Sequence, residues 1–265
     1  MFREGFPGSL QVLQWERRSV NQTDENIHNL SKAVDSNSRE KIIPWSLEKF
    51  ANQRVIMTTG FGMEGCALIN MYSKSMSQSE KWQGRKMPVV YLDTGFFFPE
   101  TYALRDRMVE KYPNMEFVNR GTTLTPEEQE RQYGKELWKH NPTLCCKLRK
   151  VDPMFPIMKE TDVWITGLRR SQSVTRANIK VVEWDGRYKV LKVSPLAELE
   201  RSDILEYVKA NNVPYNPLHE QGYPTIGCTH CTIPVQVSKI GEYSRAGRWA
   251  DYKMTDCGLH GGNDI

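Results

Sequence analysis

Short β-rich runs alternate with helical patterns along most of this chain, and that alternation constrains its fold more than any other feature. Residues 54–59 predict one buried strand, and residues 87–92 predict a second. A helical pattern follows each strand, from Cys66 to about Ser75 and from Pro99 to Lys111, the latter with proline in its first turn. Strands alternating with helices predict an α/β fold with a doubly wound parallel sheet.

The middle of the chain continues this alternation. Residues 115–118 and 162–166 are β-rich and predict a third and a fourth strand. Residues 143–158 predict a helix between them. We expect that helix to stop near Pro153 or Pro156, because proline has no amide hydrogen for the helical ladder.

A hairpin and a last helix complete the predicted elements. Residues 179–193 predict a β-hairpin that turns at Asp185-Gly186. A helix is expected near 200–211, and a loop rich in proline and glycine follows it.

Three regions follow from this pattern. At 265 residues the chain can bury one substantial core. Residues 1–53 are expected to form a helical segment packed on that core, and residues 54–241 to form the main domain. Residues 242–265 are rich in glycine and charge, and we expect them to form a mobile C-terminal tail.

The ends of the predicted strands mark the expected binding site. Ligands of doubly wound sheets bind outside the carboxyl ends of the strands, so residues 58–65, 93–95 and 167–176 should converge on one pocket. The first of these contains Gly60, Gly62 and Gly65 before a helix N-terminus, whose free N–H groups can bind an anion. This turn matches neither a Walker A loop nor the dinucleotide fingerprint, so an ordinary tight turn is an equally good interpretation.

Six cysteines carry the strongest chemical signal. Cys145 and Cys146 are adjacent, and Cys228 and Cys231 form a Cys-x-x-Cys pair. One zinc ion needs four thiolates that converge at roughly 2.3 Å, whereas neighbouring side chains diverge. A four-iron cluster offers each thiolate a different iron, so these four cysteines favour one [4Fe-4S] cluster per subunit. Structural zinc and a disulfide remain the alternatives.

Composition limits the compartment and the partners. The first 30 residues are polar and charged, with no apolar run long enough for a signal peptide or a membrane span, so we expect a cytoplasmic protein that does not contact membranes. The net charge is +4, from 36 basic and 32 acidic residues, so nucleic acid is not an expected partner. The basic residues nevertheless cluster beside the features described above: Lys147, Arg149 and Lys150; Arg169, Arg170 and Arg176; Arg245 and Arg248. A solvated charged face explains any one cluster equally well.

Seven short motifs occur in one order along the chain. They begin with Thr59-Gly-Phe-Gly-Met-Glu-Gly65, Leu92-Asp-Thr-Gly95, Cys145-Cys-Lys-Leu-Arg-Lys150 and Thr166-Gly-Leu-Arg-Arg-Ser-Gln-Ser-Val-Thr-Arg176. They end with Gly227-Cys-Thr-His-Cys231, Arg245-Ala-Gly-Arg-Trp249 and Asp256-Cys-Gly-Leu-His260. Together they resemble the sulfonucleotide reductases, which reduce adenylyl sulfate (APS) or phosphoadenylyl sulfate (PAPS). That family belongs to the PP-loop superfamily, so the resemblance implies a sheet of the PP-loop (adenine nucleotide alpha hydrolase-like) type.

The resemblance also implies the site and the reaction. Cys257 would be the nucleophile that attacks the sulfur atom of the nucleotide, in a catalytic tail formed by residues 242–265. Thioredoxin or glutaredoxin would then release sulfite. The nearby cations would favour the thiolate form of Cys257. The implied substrate-binding residues are Thr59, Gly60, Gly62, Glu64, Gly65, Leu92, Asp93, Thr94, Lys150, Gly167, Arg176, Arg245, Arg248 and His260.

Two departures and several alternatives stay open. The family's terminal motif usually begins with glutamate where this chain has Asp256, and Cys66 has no family role. Four cluster cysteines favour APS over PAPS as the substrate. The remoter alternatives are a PP-loop tRNA thiolase, whose SGGxDS loop is not matched here, and a non-enzymatic iron-sulfur sensor or zinc module. A homo-oligomer is compatible with the resemblance.

Overall fold

The computed structural model describes residues 29–30, 41–236, 245, 247–250, 254 and 256–260. Most of the predicted N-terminal segment, 1–53, therefore lies outside the described residues. Its described part contains helix α1, Ile42–Lys49, which buries Ile42, Ile43 and Leu47 in the main core.

Six strands form one sheet. They are β1 Val55–Thr58, β2 Met87–Tyr91, β3 Met115–Asn119, β4 Val163–Ile165, β5 Val182–Asp185 and β6 Val190–Val193. Their order is β3-β2-β1-β4-β6-β5. The first five in this order pair in parallel, and β5 pairs antiparallel to β6 as the outer strand of the expected hairpin. The predicted fold class, an α/β protein with a mainly parallel sheet, is confirmed.

The remaining helices connect and cover these strands. They are α2 Met63–Ser77, α3 Pro99–Lys111, α4 Pro126–Tyr133, α5 Leu137–His140, α6 Pro142–Cys146, α7 Asp152–Lys159 and α8 Arg201–Ala210. None of the helices in this part of the chain has both the length and the apolar character that crossing a membrane demands.

The helix predicted over residues 143–158 is present, but neither Pro153 nor Pro156 ends it. A π-helical turn, Lys147–Val151, joins α6 to α7, and the helical path continues to Lys159. Pro153 lies in the first turn of α7, where a missing N–H is tolerated, and Pro156 lies inside the helix. The wide turn carries Lys150 between the cysteine pair and α7.

Apolar residues cover both faces of the sheet. On one face, Met57 of β1 and Val89 of β2 are buried in the cluster that includes α2 and α8. On the other face, Trp164 of β4 packs with Met154 of α7 in a smaller cluster. A side chain alternates between faces along each strand, so strands covered on both sides need apolar residues almost throughout, which explains the continuous runs in the sequence.

Strands are added on both sides of β1, and the direction of addition changes there. The chain proceeds outward from β1 through β2 to β3, then returns to place β4 on the other side of β1. The loops that follow β1 and β4 therefore diverge at the same edge, which is where doubly wound sheets leave a crevice.

Candidate active site

A cavity of about 230 Å³ opens at the carboxyl edge of β1, β2 and β4. Three of its walls come from distant parts of the chain: the loop after β1, the π-helical turn, and the C-terminal residues. The expected convergence of residues 58–65 and 167–176 is thus found. Most of the predicted substrate-binding residues line this cavity, namely Thr59, Gly60, Gly62, Glu64, Gly65, Leu92, Lys150, Gly167, Arg176, Arg245, Arg248 and His260.

The loop after β1 presents backbone amides to the cavity. Gly62 caps helix α2 without a side-chain hydrogen bond, so the first-turn amides of that helix stay available to an anion. The Thr59 hydroxyl accepts a hydrogen bond from the Phe61 amide at 2.9 Å, and Phe61 adopts a left-handed φ of 57°. A Cβ on Gly65 would lie 2.5 Å from the Thr59 hydroxyl oxygen. The tight path of the loop therefore requires glycine at position 65.

A buried ion pair fixes this loop to the loop after β4. The Arg169 Nη2 and Nε atoms both donate to Glu64 Oε1, at 2.8 and 3.1 Å. The Arg169 side chain is 0% exposed and that of Glu64 is 18% exposed. Burial alone would raise the pKa of Glu64, but the arginine outweighs burial and holds that pKa below its ordinary value. The carboxylate is thus ionised at neutral pH.

Four cations surround the cavity, and each has a distinct environment. Burial opposes the charge of Lys150, yet the negative charge of Cys228 and Cys146 in their thiolate forms raises its pKa above the ordinary value. Burial and the neighbouring Arg176 lower the pKa of Arg245 to about 10, which still leaves it charged at pH 7. Such a concentration of positive charge suits a ligand with several anionic oxygens.

Arg248 completes this group. Its Nη1 atom donates to the Thr232 hydroxyl at 2.8 Å, and its guanidinium lies 4.2 Å from the centre of the Trp249 ring. A Cβ on Gly227 would overlap that guanidinium, so any larger residue there would displace the Arg248 side chain from this position. Gly227 and Trp249 line the cavity but were not predicted as site residues, although each stands in one of the seven motifs.

The described C-terminal residues lie over the cavity. Half-buried Cys257 lines it, and Asp256 accepts a 2.8 Å hydrogen bond from Arg176. Burial would raise the pKa of Asp256, but Arg176 and Arg245 hold it well below its ordinary value. The His260 ring stacks on Trp164 with 5.0 Å between ring centres.

The β5–β6 hairpin also contacts this segment. Arg187 Nη1 donates to the Gly258 carbonyl at 2.6 Å, next to Cys257 in the chain. The hairpin was predicted as structure only, so this contact was not expected from the sequence. The mobility of the tail stays a prediction.

The four clustered cysteines meet in a second, smaller cavity. Cys145 and Cys146 end helix α6, while Cys228 and Cys231 flank a short 3₁₀ turn. All four are free and buried, and they line this cavity together. Trp138 and His230 cover it, with their rings stacked 3.8 Å apart.

The electrostatics of the four thiols differ. Burial raises the pKa of Cys145 to about 11 and that of Cys146 to about 12. Burial acts in the same direction on Cys228, but Lys150 and Arg248 outweigh it and lower that pKa. Within the described residues, no group of three or more His, Cys, Asp or Glu side chains is arranged to hold a metal ion.

Asp93 and Thr94 were predicted as substrate-binding residues but are not among the residues that line the active-site cavity. Their role in binding stays a prediction. Asp93 Oδ1 accepts hydrogen bonds from the Gly95 amide at 2.8 Å and the Tyr102 hydroxyl at 2.9 Å. Thr94 is fully buried, and its hydroxyl lies 3.4 Å from the Cys228 sulfur. Both therefore shape the loop after β2 against the cysteine cavity.

Cys66 lies apart from both cavities. It is completely buried near the start of α2, and burial raises the pKa of its thiol to about 12. It packs as a small apolar side chain.

The parallel sheet, the amide-lined loop at its carboxyl edge and the thiol above the cations together define a nucleotide-binding α/β enzyme. Comparison with known proteins narrows this class. Residues 54–234 match the phosphoadenosine phosphosulfate reductase domain family. An adenosine 5'-phosphosulfate reductase of Bacillus cytotoxicus is 39% identical over 237 residues, covering 89% of this chain and 96% of the relative. One from Lysinibacillus sphaericus is 41% identical over 220 residues, covering 83% and 89%.

Solved structures agree with this match. The phosphoadenylyl-sulfate reductase of Candida auris, in a phosphate complex, is similar with a TM-score of 0.68 and 28% identity, covering 81% of this chain and all of that one. The FMN adenylyltransferase of Candida glabrata, at 13% identity and a TM-score of 0.53, covers 78% of this chain and 70% of that one and shares the fold alone. The chain belongs to the sulfonucleotide reductase family, and it is an oxidoreductase.

Proposed function

We propose that this protein reduces adenylyl sulfate to sulfite and AMP, in assimilatory sulfate reduction, with electrons from a dithiol. The observation that carries the proposal is that the Cys257 thiol lines the same cavity as four cations and an amide-lined loop. Relatives of about 40% identity that bear the name adenosine 5'-phosphosulfate reductase support the choice of substrate.

The first step is attack of the Cys257 thiolate on the sulfur atom of the nucleotide. A bond forms between the two sulfur atoms, and the bond between the sulfate sulfur and the bridging oxygen breaks. AMP leaves with that electron pair, and an S-sulfocysteine remains on the enzyme. Lys150, Arg176, Arg245 and Arg248 hold the phosphate and sulfate oxygens and offset the negative charge on the leaving oxygen.

The second step restores the thiol. One thiolate of a thioredoxin-like dithiol attacks the Cys257 sulfur, and sulfite leaves with the electron pair of the bond between the two sulfur atoms. The second thiol of the dithiol then displaces Cys257 and closes a disulfide on the reductant. The two electrons thus come from the dithiol. Because Cys257 is half-buried in the wall of the cavity, the chain around it must move before a protein reductant reaches its sulfur.

Cys145, Cys146, Cys228 and Cys231 would hold one [4Fe-4S] cluster per subunit. Four free, buried thiols around one cavity are a donor set that suits iron and sulfide, and two of them are adjacent in sequence. When bound, the iron-sulfur cluster supplies a fixed charge beside the four cations of the active-site cavity. Lys150 follows Cys146 by one turn of helix, so the cysteines also position its ammonium toward the substrate.

A labelling experiment tests the nucleophile. Anaerobically purified protein incubated with APS and no reductant is expected to gain about 80 Da, the mass of one sulfonate group, on Cys257. Thioredoxin should then remove the adduct and release sulfite. The Cys257→Ser variant should form no adduct, whereas the control Cys66→Ser should behave as the wild type. An adduct on Cys66, or sulfite release by Cys257→Ser, would refute the assignment.

Parallel assays separate the alternatives. Sulfite release from APS but not PAPS supports the proposal, and faster release from PAPS would favour the activity named for the Candida auris protein. Metal analysis should give about four irons and four sulfides per chain. One zinc per chain without iron would refute the cluster.

A further inference from the structure

A small pocket of about 40 Å³ adjoins the active-site cavity beside the loop after β1, residues 59–65, hereafter the phosphate loop. Gly62, Glu64 and Arg245 line both spaces, so a ligand in the main cavity can extend a group into the small pocket. A space of this size has room for a water molecule or a hydroxyl group. Among the residues that line only the small pocket is His219, from the loop after α8.

His219 presents a hydrogen-bond acceptor to this pocket. Its Nδ1 atom lies 2.7 Å from the Tyr223 carbonyl oxygen, which can only accept, so Nδ1 carries the hydrogen. Burial lowers the pKa of His219, so the ring is neutral at pH 7 and Nε2 is a lone-pair acceptor. Nε2 is buried and has no hydrogen-bond partner among the described residues. Buried polar atoms in native proteins almost always have a hydrogen-bond partner, so we expect a bound group to supply the partner of Nε2.

The small pocket also contains a donor that lacks a partner. The Nε atom of Arg245 is buried, and within the described part of the chain nothing accepts its hydrogen. The two unpartnered atoms are thus one acceptor, His219 Nε2, and one donor, Arg245 Nε. A hydroxyl group can satisfy both, because its hydrogen is donated and its oxygen accepts.

The groups of an adenine nucleotide differ in this respect. Phosphate and sulfate oxygens only accept hydrogen bonds at neutral pH. They therefore cannot donate to His219 Nε2, and their negative charge would face its lone pair. The adenine amino group donates but does not accept from Arg245. The ribose hydroxyls are the nucleotide groups that can do both.

We propose that His219 is a substrate-binding residue whose Nε2 atom accepts a hydrogen bond from a ribose hydroxyl of the nucleotide. This inference rests on the proposed function, since it requires a nucleotide in the main cavity. It assigns His219 a role in binding and none in the transfer of the sulfonate group.

Binding of AMP analogues tests this assignment without turnover. Calorimetry would compare AMP, 2'-deoxy-AMP and 3'-deoxy-AMP with the wild type, with His219→Leu and with His219→Gln. For the wild type, loss of the hydroxyl that contacts His219 should weaken binding about tenfold, as for one lost hydrogen bond between buried groups. For His219→Leu the same deoxy analogue should lose less affinity relative to AMP than it does for the wild type, because only the hydrogen bond from Arg245 is then at stake. His219→Gln, which keeps an acceptor oxygen, should restore part of the difference.

Within each variant, the affinity for a deoxy analogue is divided by the affinity for AMP. This ratio cancels any general effect of the substitution on nucleotide binding. His219→Leu also loses the bond to the Tyr223 carbonyl, but that loss affects AMP and both analogues equally. His140, an exposed histidine on α5, provides the matched control, and His140→Leu should keep the wild-type ratios. The inference is wrong if both deoxy analogues lose the same factor in wild type and His219→Leu. Failure of the wild type to bind AMP at all would instead refute the proposed function.

Discussion

Removal of the Glu64 carboxylate should destabilise the protein by several kcal/mol. The partner guanidinium of Arg169 is 0% exposed, so water cannot replace the lost negative charge. Arg169 also donates to the Ser171 hydroxyl at 2.6 Å and to the Leu199 carbonyl at 3.3 Å. These two contacts are neutral, and they leave the positive charge uncompensated.

The expected cost follows from this burial. When one partner of a buried ion pair is removed, the free energy of unfolding falls by about 3–5 kcal/mol, because the other charge stays buried. For a chain of this size that corresponds to a decrease in Tm of about 6–20 °C, at about 2–4 °C per kcal/mol. Glu64→Ala should show the full effect. Glu64→Gln should show nearly as much, since its amide keeps an acceptor but no charge.

An exposed ion pair in the same chain provides the control. Glu48 and Lys81 are 2.7 Å apart, with side chains that are 51% and 54% exposed. Glu48→Ala is expected to leave the stability nearly unchanged, because water solvates both charges. Urea denaturation at pH 7, under anaerobic conditions, would measure all three variants. If Glu64→Ala were no less stable than Glu48→Ala, the buried charge of Arg169 would not be what holds the phosphate loop.

Three further outcomes are expected. Arg187→Ala should slow formation of the Cys257 adduct about tenfold in single-turnover mass spectrometry, because the hydrogen bond to the Gly258 carbonyl is lost, and an unchanged rate would exclude this positioning role. Burial lowers the pKa of His219 and of His260, so the unfolded chain binds more protons near pH 6. Stability in urea should therefore fall as the pH drops from 7.5 to 5.5, by up to about 1.4 kcal/mol per pH unit for each histidine, and a flat profile would contradict this. Serine in place of any one of the four clustered cysteines should abolish the broad visible absorbance and bound iron, and full iron content in such a variant would remove that cysteine from the ligand set.

The sequence by itself determined the fold class and the boundaries of most strands. Helix and strand periodicities depend on residues only a few positions apart, so the pattern of β1, β2 and α3 can be read locally. The seven motifs likewise identified the family, since each is a short run. The local pattern was misleading at Pro153, because that proline falls in the first turn of α7, after the π-helical turn, and the helical path continues to Lys159.

Only the tertiary structure decided which of these residues share a site. Glu64 and Arg169 are 105 positions apart, and Arg176 and Asp256 are 80 apart, so no periodicity connects them. The same motif that supplies Leu92 to the cavity turns Asp93 and Thr94 away from it, because Thr94 packs against Cys228. The unpartnered nitrogen of His219 exists only once the loop after α8 closes on the phosphate loop. Burial, charge compensation and the direction of a side chain depend on contacts between distant segments, and those contacts form when the sheet assembles.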